Sequence, residues 1–309
     1  MDISVVIPLL NEEGSLKELF GAIKVAIPPH KSYEVIFVDD GSDDTSLSVI
    51  NELAKTEPKG VIKAISFGRN YGKSAALSVG FAEAKGSYII TMDADLQDDP
   101  ATIPLLIAKI DEGYDVVSGW KKKRHDNVFT KNIPSKFFNF VVSKMSGLKL
   151  HDFNCGLKIY RKDAAKSIDI YGERHRFLPI LAFWNGYKVG EIEVNHRARI
   201  YGKSKFGLDR FLNGGLDLLT LLFLRKYMKA PLHFFGMIGI LLALIGFGIL
   251  SYFGFVWITT FQLHIRPLFL LGVTLCILGV QFLSIGLLGE MISNQSSQRH
   301  YTIKKTIGI

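Results

Sequence analysis

Cysteine is scarce: Cys155 and Cys276 are the only two in 309 residues. Cys276 lies inside an apolar run and Cys155 far from it, so no disulfide framework is expected. No secretory leader is evident, because Met1-Asp2-Ile3-Ser4 opens a strand pattern without a basic n-region. No G-x-G-x-x-G follows the first apolar run, which argues against a nicotinamide cofactor. Gly68-Arg69-Asn70-Tyr71-Gly72-Lys73-Ser74 resembles a phosphate loop. Its glycines are one residue too close for a Walker A motif, so it is read as a decoy for ATP chemistry. Internal repeats and low-complexity segments are also missing. Asn294-Gln295-Ser296 matches a glycosylation sequon and is treated as chance.

The largest absence is of charge. No Asp, Glu, Lys or Arg occurs from Ala230 to Ile265, nor from Pro267 to Gly289. A bilayer core about 30 Å thick needs roughly 20 apolar helical residues. Both runs are long enough, with spans expected at about 232–258 and 267–288. The competing reading is a buried hairpin in a soluble core. Arg225, Lys226 and Lys229 precede the first run, Arg299, Lys304 and Lys305 follow the second, and the short connection carries only His264 and Arg266. The positive-inside rule then places both termini in the cytoplasm and the connection outside, in an inner or plasma membrane. The formal net charge of +8 is read as attraction to an anionic membrane surface. No nucleic-acid partner is expected.

What is present ahead of the hairpin is a regular alternation. Apolar runs at Ile3–Leu9, Tyr33–Asp39, Val61–Phe67, Ser87–Asp93 and Asp115–Ser118 read as strands. Helical periodicity occupies Ser15–Ala26, Asp44–Glu57, Gly72–Ala84 and Ile103–Glu112. This predicts an α/β fold with a mostly parallel sheet covered on both faces. Residues 121–207 read as less regular and rich in Lys, Arg and His. The expected domains are a catalytic unit at 1–207, an amphipathic interface helix at 208–229, the two spans within 230–290, and a cytoplasmic tail at 291–309. An ordinary core helix is the alternative for 208–229.

Ligands of such sheets sit beyond the carboxyl ends of the strands. Acidic residues gather there: Asn11-Glu12-Glu13, Asp39-Asp40 and Asp93-Ala94-Asp95. Asp93 and Asp95 in one loop can hold a hard divalent ion together with substrate phosphates. Glu12 also has a simple reading as charge at a helix N-terminus. Asp39 and Asp40 end an apolar strand side by side, and the expectation is that their repulsion is relieved by something that binds there.

Three motifs carry a family resemblance. Val6-Ile7-Pro8-Leu9-Leu10-Asn11-Glu12-Glu13, Val38-Asp39-Asp40-Gly41-Ser42 and Asp93-Ala94-Asp95-Leu96-Gln97-Asp98 resemble glycosyltransferase family 2, of GT-A fold (nucleotide-diphospho-sugar transferase, Rossmann-like). Asp152–Lys158, Glu173–Phe177 and Arg199–Phe206 are similar to segments of the polyprenyl-phosphate glycosyltransferases. That group includes dolichol-phosphate mannose synthases and GtrB-like bacterial glucosyltransferases.

The resemblance implies roles. Pro8, Glu12, Asp39 and Asp40 would line a nucleotide pocket. Asp93 would approach the ribose, the sugar or the metal region, and Asp95 with Gln97 would hold Mg2+ or Mn2+ against the diphosphate. Lys121 stands where dolichol-type members often carry Arg. Arg199, Ser204 and Lys205 would bind phosphate at the active centre. Arg174, His175 and Arg176 would bind the acceptor phosphate, with a solvated basic turn as the alternative.

The implied activity is an inverting hexosyl transfer to undecaprenyl or dolichyl phosphate, with glucose from UDP-glucose as first choice and GDP-mannose behind. Partners would be the nucleotide sugar, the lipid phosphate, the membrane and further copies of the chain. The processive Q-x-x-R-W motif is missing. A lipid phosphate needs no general base, because its second pKa near 6 leaves it largely ionised. Rival readings are transfer to a glycan or protein hydroxyl, and a non-catalytic membrane scaffold with a transferase fold.

Overall fold

The computed structural model describes residues 1–122, 133–170, 174–195, 220, 223, 230–261 and 267–295. They divide into an α/β unit and a helical hairpin.

The α/β unit holds strands β1 (Ile3–Leu9), β2 (Tyr33–Asp39), β3 (Ile62–Ser66), β4 (Tyr88–Thr91), β5 (Val116–Trp120), β6 (Lys158–Arg161) and β7 (Val189–Glu193). They form one sheet in the order β3-β2-β1-β4-β6-β5-β7. β1 pairs in parallel with β2 and β4, β2 with β3, and β5 with β7. β6 runs against both of its neighbours, β4 and β5. β1 is buried along its whole length, as expected for an apolar run covered on both faces.

Helices α1 (Leu16–Ala26), α2 (Ser46–Thr56), α3 (Lys73–Glu83) and α4 (Ile103–Asp111) match the periodic segments of the sequence to within two residues at each end. The described residues within 121–207 depart from the irregular reading. They contain α5 (Ile133–Ser146), β6, α6 (Lys162–Ser167), a 3-10 turn at Arg174–Phe177, α7 (Leu178–Trp184) and β7. β6 is only Lys158-Ile159-Tyr160-Arg161, too short to show a period of two.

Alternate residues of β1 point into two cores. Ile3, Val5 and Ile7 meet Leu16, Leu19 and Ile23 of α1, together with Ile103, Leu106 and Ile110 of α4. Val6 joins Ile36, Val38 and the Ala76, Leu77 and Phe81 side chains of α3 on the other face. Each fully buried branched side chain contributes about 2 kcal/mol of transfer free energy. Gly80 lets α3 lie against β1, since a methyl there would run into Val6.

From β1 the chain steps outward to β2 and β3, then returns to place β4 on the other side of β1. The direction of travel reverses between β1 and β4, and such a reversal opens a crevice at the strand carboxyl ends. The loops after β1, β2 and β4 all leave at that edge.

The hairpin consists of α8 (Pro231–Thr260) and α9 (Pro267–Gln295). Pro231–Thr260 and Pro267–Ile292 both reach a mean hydropathy of 2.4 and are long and apolar enough to cross a membrane. Apolar side chains gain nothing by leaving lipid for each other, so small residues and close backbone packing must hold such a pair. Glycines provide the approach. A methyl on Gly239 would lie 2.7 Å from the Gly279 carbonyl oxygen, and one on Gly246 2.7 Å from that of Gly272. Glu290 of α9 accepts a hydrogen bond from the Leu232 backbone N–H at 3.4 Å, satisfying one of the donors left open at the start of α8. Gln262–Arg266 and the flanking basic residues lie outside the described residues, as do Arg299, Lys304 and Lys305.

Gly279→Leu is expected to force the two helices apart and destabilise the hairpin by about 1–3 kcal/mol. Thermal unfolding in detergent should show a lower midpoint, and an unchanged midpoint would refute the close packing.

Candidate active site

The loops at the crevice are stitched together before any ligand is considered. Asn11, at φ 54°, takes the left-handed conformation that Asn tolerates. Its N–H donates to Ser42 Oγ at 2.9 Å, and its side-chain oxygen accepts from Asp43 N at 3.0 Å. The Glu12 N–H donates to Ser46 Oγ at 3.0 Å, joining the end of β1 to the start of α2. Pro8 is buried in β1, in register with Val38.

Asp39 and Asp40 both have partners within the protein, which corrects the expectation that only a bound group could relieve their repulsion. Asp39 accepts from Ser42 N at 3.0 Å, Ser42 Oγ at 2.5 Å and Ser66 Oγ at 2.8 Å. Asp40 accepts from Tyr71 N at 2.7 Å and Gly72 N at 2.9 Å. Their carboxylates point to different loops, and each is stabilised by donors there. Asp40 also fixes the entry to α3, whose preceding Gly72 has φ 92° and sits in the region open to glycine.

That entry delivers Lys73 to the site. Its ammonium pairs with the Asp93 carboxylate, and both side chains are about one-third exposed at 32%. The Gly68–Ser74 segment, read from sequence as a decoy, therefore builds the site without being a nucleotide-hydrolysis loop. A lysine placed directly after a glycine at a strand-to-helix turn was the available signal.

Asp93 is enclosed from the other side by Gly156, in the loop before β6. A methyl on Gly156 would sit 2.5 Å from Asp93 Oδ2 and 2.6 Å from its Cγ. The Gly156 carbonyl accepts from Thr91 Oγ1 at 2.8 Å, which ties that loop to β4. Burial would raise the Asp93 pKa, but the ammonium groups of Lys73, Lys121 and Lys158 outweigh it and hold the carboxyl well below the usual range. Asp95 is buried at 7% exposure, and its carboxylate accepts from Gln97 N at 3.2 Å. Leu96 lies between them at φ 60°, a strained conformation for a bulky residue, and its side chain is buried. The loop is thus held in one shape by packing.

Lys121 follows β5 and reaches Asp98 at 2.7 Å, with Asp98 fully buried. Burial disfavours the charged amine, and the Asp98 carboxylate reverses this and raises the Lys121 pKa. Asp98 was quoted in the acidic motif without a role. Lys158 of β6 is 3% exposed and donates to the Cys155 carbonyl oxygen. Burial, then nearby Lys73, lowers its pKa. Burial drives the neighbouring Cys155 thiol up to about 12, so it is inert.

Arg174 and His175 are half-buried and Arg176 is buried. Ser74 of α3 binds His175 twice: its Oγ accepts from His175 N and contacts Nδ1, both at 3.1 Å. Burial, with Lys73 and Arg176 nearby, depresses the His175 pKa to about 2. The imidazole is neutral at physiological pH and cannot act there as a cation. Arg199, Ser204 and Lys205 lie outside the described residues.

The donor chemistry fits a hard divalent cation. Asp93, Asp95 and the Gln97 amide offer oxygen ligands. Among the described residues no group of three or more His, Cys, Asp or Glu could hold a metal without help. One or two carboxylates that leave coordination positions for phosphate oxygens suit Mg2+ or Mn2+.

Residues 4–169 match the profile of Glycosyl transferase family 2. The chain is 37% identical over 300 residues to dodecaprenyl-phosphate galacturonate synthase of Rhizobium johnstonii, covering 95% of this chain and 88% of that protein. It is 37% identical over 319 residues to undecaprenyl-phosphate 4-deoxy-4-formamido-L-arabinose transferase of Proteus mirabilis, covering 99% and 94%. Glucosyl-3-phosphoglycerate synthase of Mycobacterium tuberculosis, solved with Mn2+, UDP and glucosyl-3-phosphoglycerate, shares the fold at TM-score 0.57 and 17% identity over 72% of this chain and 79% of that one. The α/β unit is therefore a GT-A-type sheet, and the chain is a glycosyltransferase. It belongs to glycosyltransferase family 2, and the two curated relatives are both sugar transferases named for a polyprenyl phosphate.

The folded-state pKa of His175 lies below its ordinary value of 6.5. The unfolded chain therefore takes up this proton first, and stability is lost as pH falls below about 6.5. Carboxylates whose pKa is lowered act only at more acidic pH, so the window from pH 7 to 5 isolates the histidine contribution. His175→Gln is expected to flatten the fall of the thermal midpoint over that window, and parallel slopes in both proteins would contradict the neutral imidazole. Gly156→Ala is expected to displace Asp93 and cost turnover about tenfold or more, on the scale of a lost charge-assisted hydrogen bond. Circular dichroism would check that the fold survives.

Proposed function

We propose that this protein transfers a sugar from a nucleotide sugar to a polyprenyl phosphate, with inversion at the anomeric carbon. The observation that carries the reading is the pairing of Asp93 with Lys73 and of Asp98 with Lys121 in the loops at the reversal between β1 and β4, in a chain that also holds an apolar hairpin. The lipid acceptor is supported by the names of the two curated relatives.

Pro8, Glu12, Asp39 and Asp40 form the nucleotide side of the crevice. Asp39 and Asp40 act there largely by holding the loops in shape. Asp93 faces the ribose and sugar. Asp95 and Gln97 hold the cation, which when bound neutralises the diphosphate and eases its departure. Lys121 stays paired with Asp98 beside the donor. Arg199, Ser204 and Lys205 bind phosphate groups. Arg174 and Arg176 gather the acceptor phosphate, and His175 contributes a neutral hydrogen bond.

Two anionic reactants repel each other, so a basic site is needed to bring them together. A phosphate monoester is already ionised near neutral pH, and its oxygen attacks without a base to deprotonate it. The C–O bond to the nucleoside diphosphate breaks as the new one forms, which inverts the configuration.

The domain layout follows: a catalytic unit at 1–207, an interface helix at 208–229, spans within 230–290 and a tail at 291–309. Both termini face the cytoplasm of an inner or plasma membrane, and the chain forms homo-oligomers. Glucose from UDP-glucose is the first donor to test. The sugars named for the relatives, galacturonate and a formamido-arabinose, widen the choice to acidic and modified sugars.

Purified protein in detergent, with Mg2+ or Mn2+ and undecaprenyl or dolichyl phosphate, should form a labelled lipid from one of UDP-glucose, UDP-galacturonic acid, the UDP-linked formamido-arabinose or GDP-mannose. Failure with every donor would overturn the assignment. Asp95→Ala is expected to abolish metal-dependent turnover, and full activity would remove Asp95 from the cation site.

A further inference from the structure

We propose that Lys73 is a positioning residue for the donor sugar, acting through Asp93. The inference rests on the donor reading above and names a residue that the sequence motifs left without a role. Two contacts converge on one carboxylate, and a third fixes the residue that makes one of them. Lys73 pairs with it from the start of α3. Gly156 leaves no room behind it, since a methyl there would fall within 2.8 Å of all three atoms of the carboxyl group. Asp40 fixes the Tyr71–Gly72 backbone that aims Lys73.

The carboxylate therefore has one available direction, set by a cation on one side and backbone on the other. A carboxylate held in this way can accept hydrogen bonds from vicinal hydroxyls of a sugar. One left to rotate must order itself on binding, at an entropic cost. The lysine is spared the usual weakness of an exposed ion pair, because its stem leaves a helix terminus whose backbone is already anchored.

Lys73 also acts on two other neighbours. It stands near Lys158 and near the buried imidazole of His175, and raises the cost of a positive charge on either. One ammonium thereby orients the acid and helps keep His175 neutral.

The consequence is measurable without turnover. Calorimetry on the full-length protein in detergent with Mn2+ gives affinities for UDP and for the UDP-sugars, UDP-glucose and UDP-galacturonic acid. The ratio of the tighter UDP-sugar to UDP is the increment contributed by the sugar. Lys73→Met is expected to lower this increment about tenfold, as Asp93→Asn does, with UDP affinity changed less than about threefold. The double variant is expected to be no worse than Asp93→Asn alone, because residues that act as one unit are not additive. Lys73→Arg keeps the cation and is expected to restore at least half of the increment.

Additive losses in the double variant would overturn the inference in favour of direct donor contact by Lys73. An Arg variant whose increment falls as far as that of Asp93→Asn would overturn it as well, whether or not Lys73→Met folds. Absence of UDP binding by the wild-type protein would instead bring down the donor reading, and the inference with it.

Discussion

Electrostatic crowding governs the α/β unit. Lys73, Lys121 and Lys158 surround Asp93 and Asp98 in a space that is part-exposed at the Lys73–Asp93 pair and closed to water around Asp98 and Lys158, where an unpaired charge of either sign is costly. Each ion is tolerated because an opposite partner or a backbone carbonyl meets it: Asp93 by Lys73, Asp98 by Lys121, and Lys158 by the Cys155 carbonyl. Removing one member leaves another stranded, so the arrangement is held as a set. Such a set suits ligands that bring several negative charges of their own.

The sheet makes this crowding possible. Reversal of strand order between β1 and β4 sends consecutive loops to the same edge from opposite directions. The antiparallel insertion of β6 then brings Gly156 beneath Asp93 and Lys158 beside it. Leu96, strained at φ 60° but buried, fixes the turn that carries Asp95 and Gln97 away from the end of β4.

Periodicity made the first half of the chain legible. Runs such as Ile3–Leu9 and Tyr33–Asp39 are strands to the residue, because they are long and continuous. The hairpin was equally plain from its missing charges. The acidic loops could be placed at the ligand edge from strand order alone. The functions of individual acids could not, because a hydroxyl or N–H donor that reaches them from another loop leaves no local pattern. Asp39 meets Ser66, and Asp40 meets Tyr71 and Gly72, across about thirty residues of sequence. Lys73 was hidden for the same reason, and β6 was hidden by its length. The left-handed backbone at Leu96 was hidden because leucine rarely adopts it.

The insertion of β6 sets an order of assembly. β4 and β5 are never neighbours, and each waits for a strand made about forty residues after β5. A ribosome therefore releases β1 to β5 before the strand that joins β4 to β5, and β7 after it, a long-range closure of the slow kind. Gly156 arrives with that piece, so the chamber around Asp93 is among the last parts of the unit to be sealed. The apolar hairpin is translated later still, and the nascent enzyme can finish its polar half before its greasy anchor needs a bilayer.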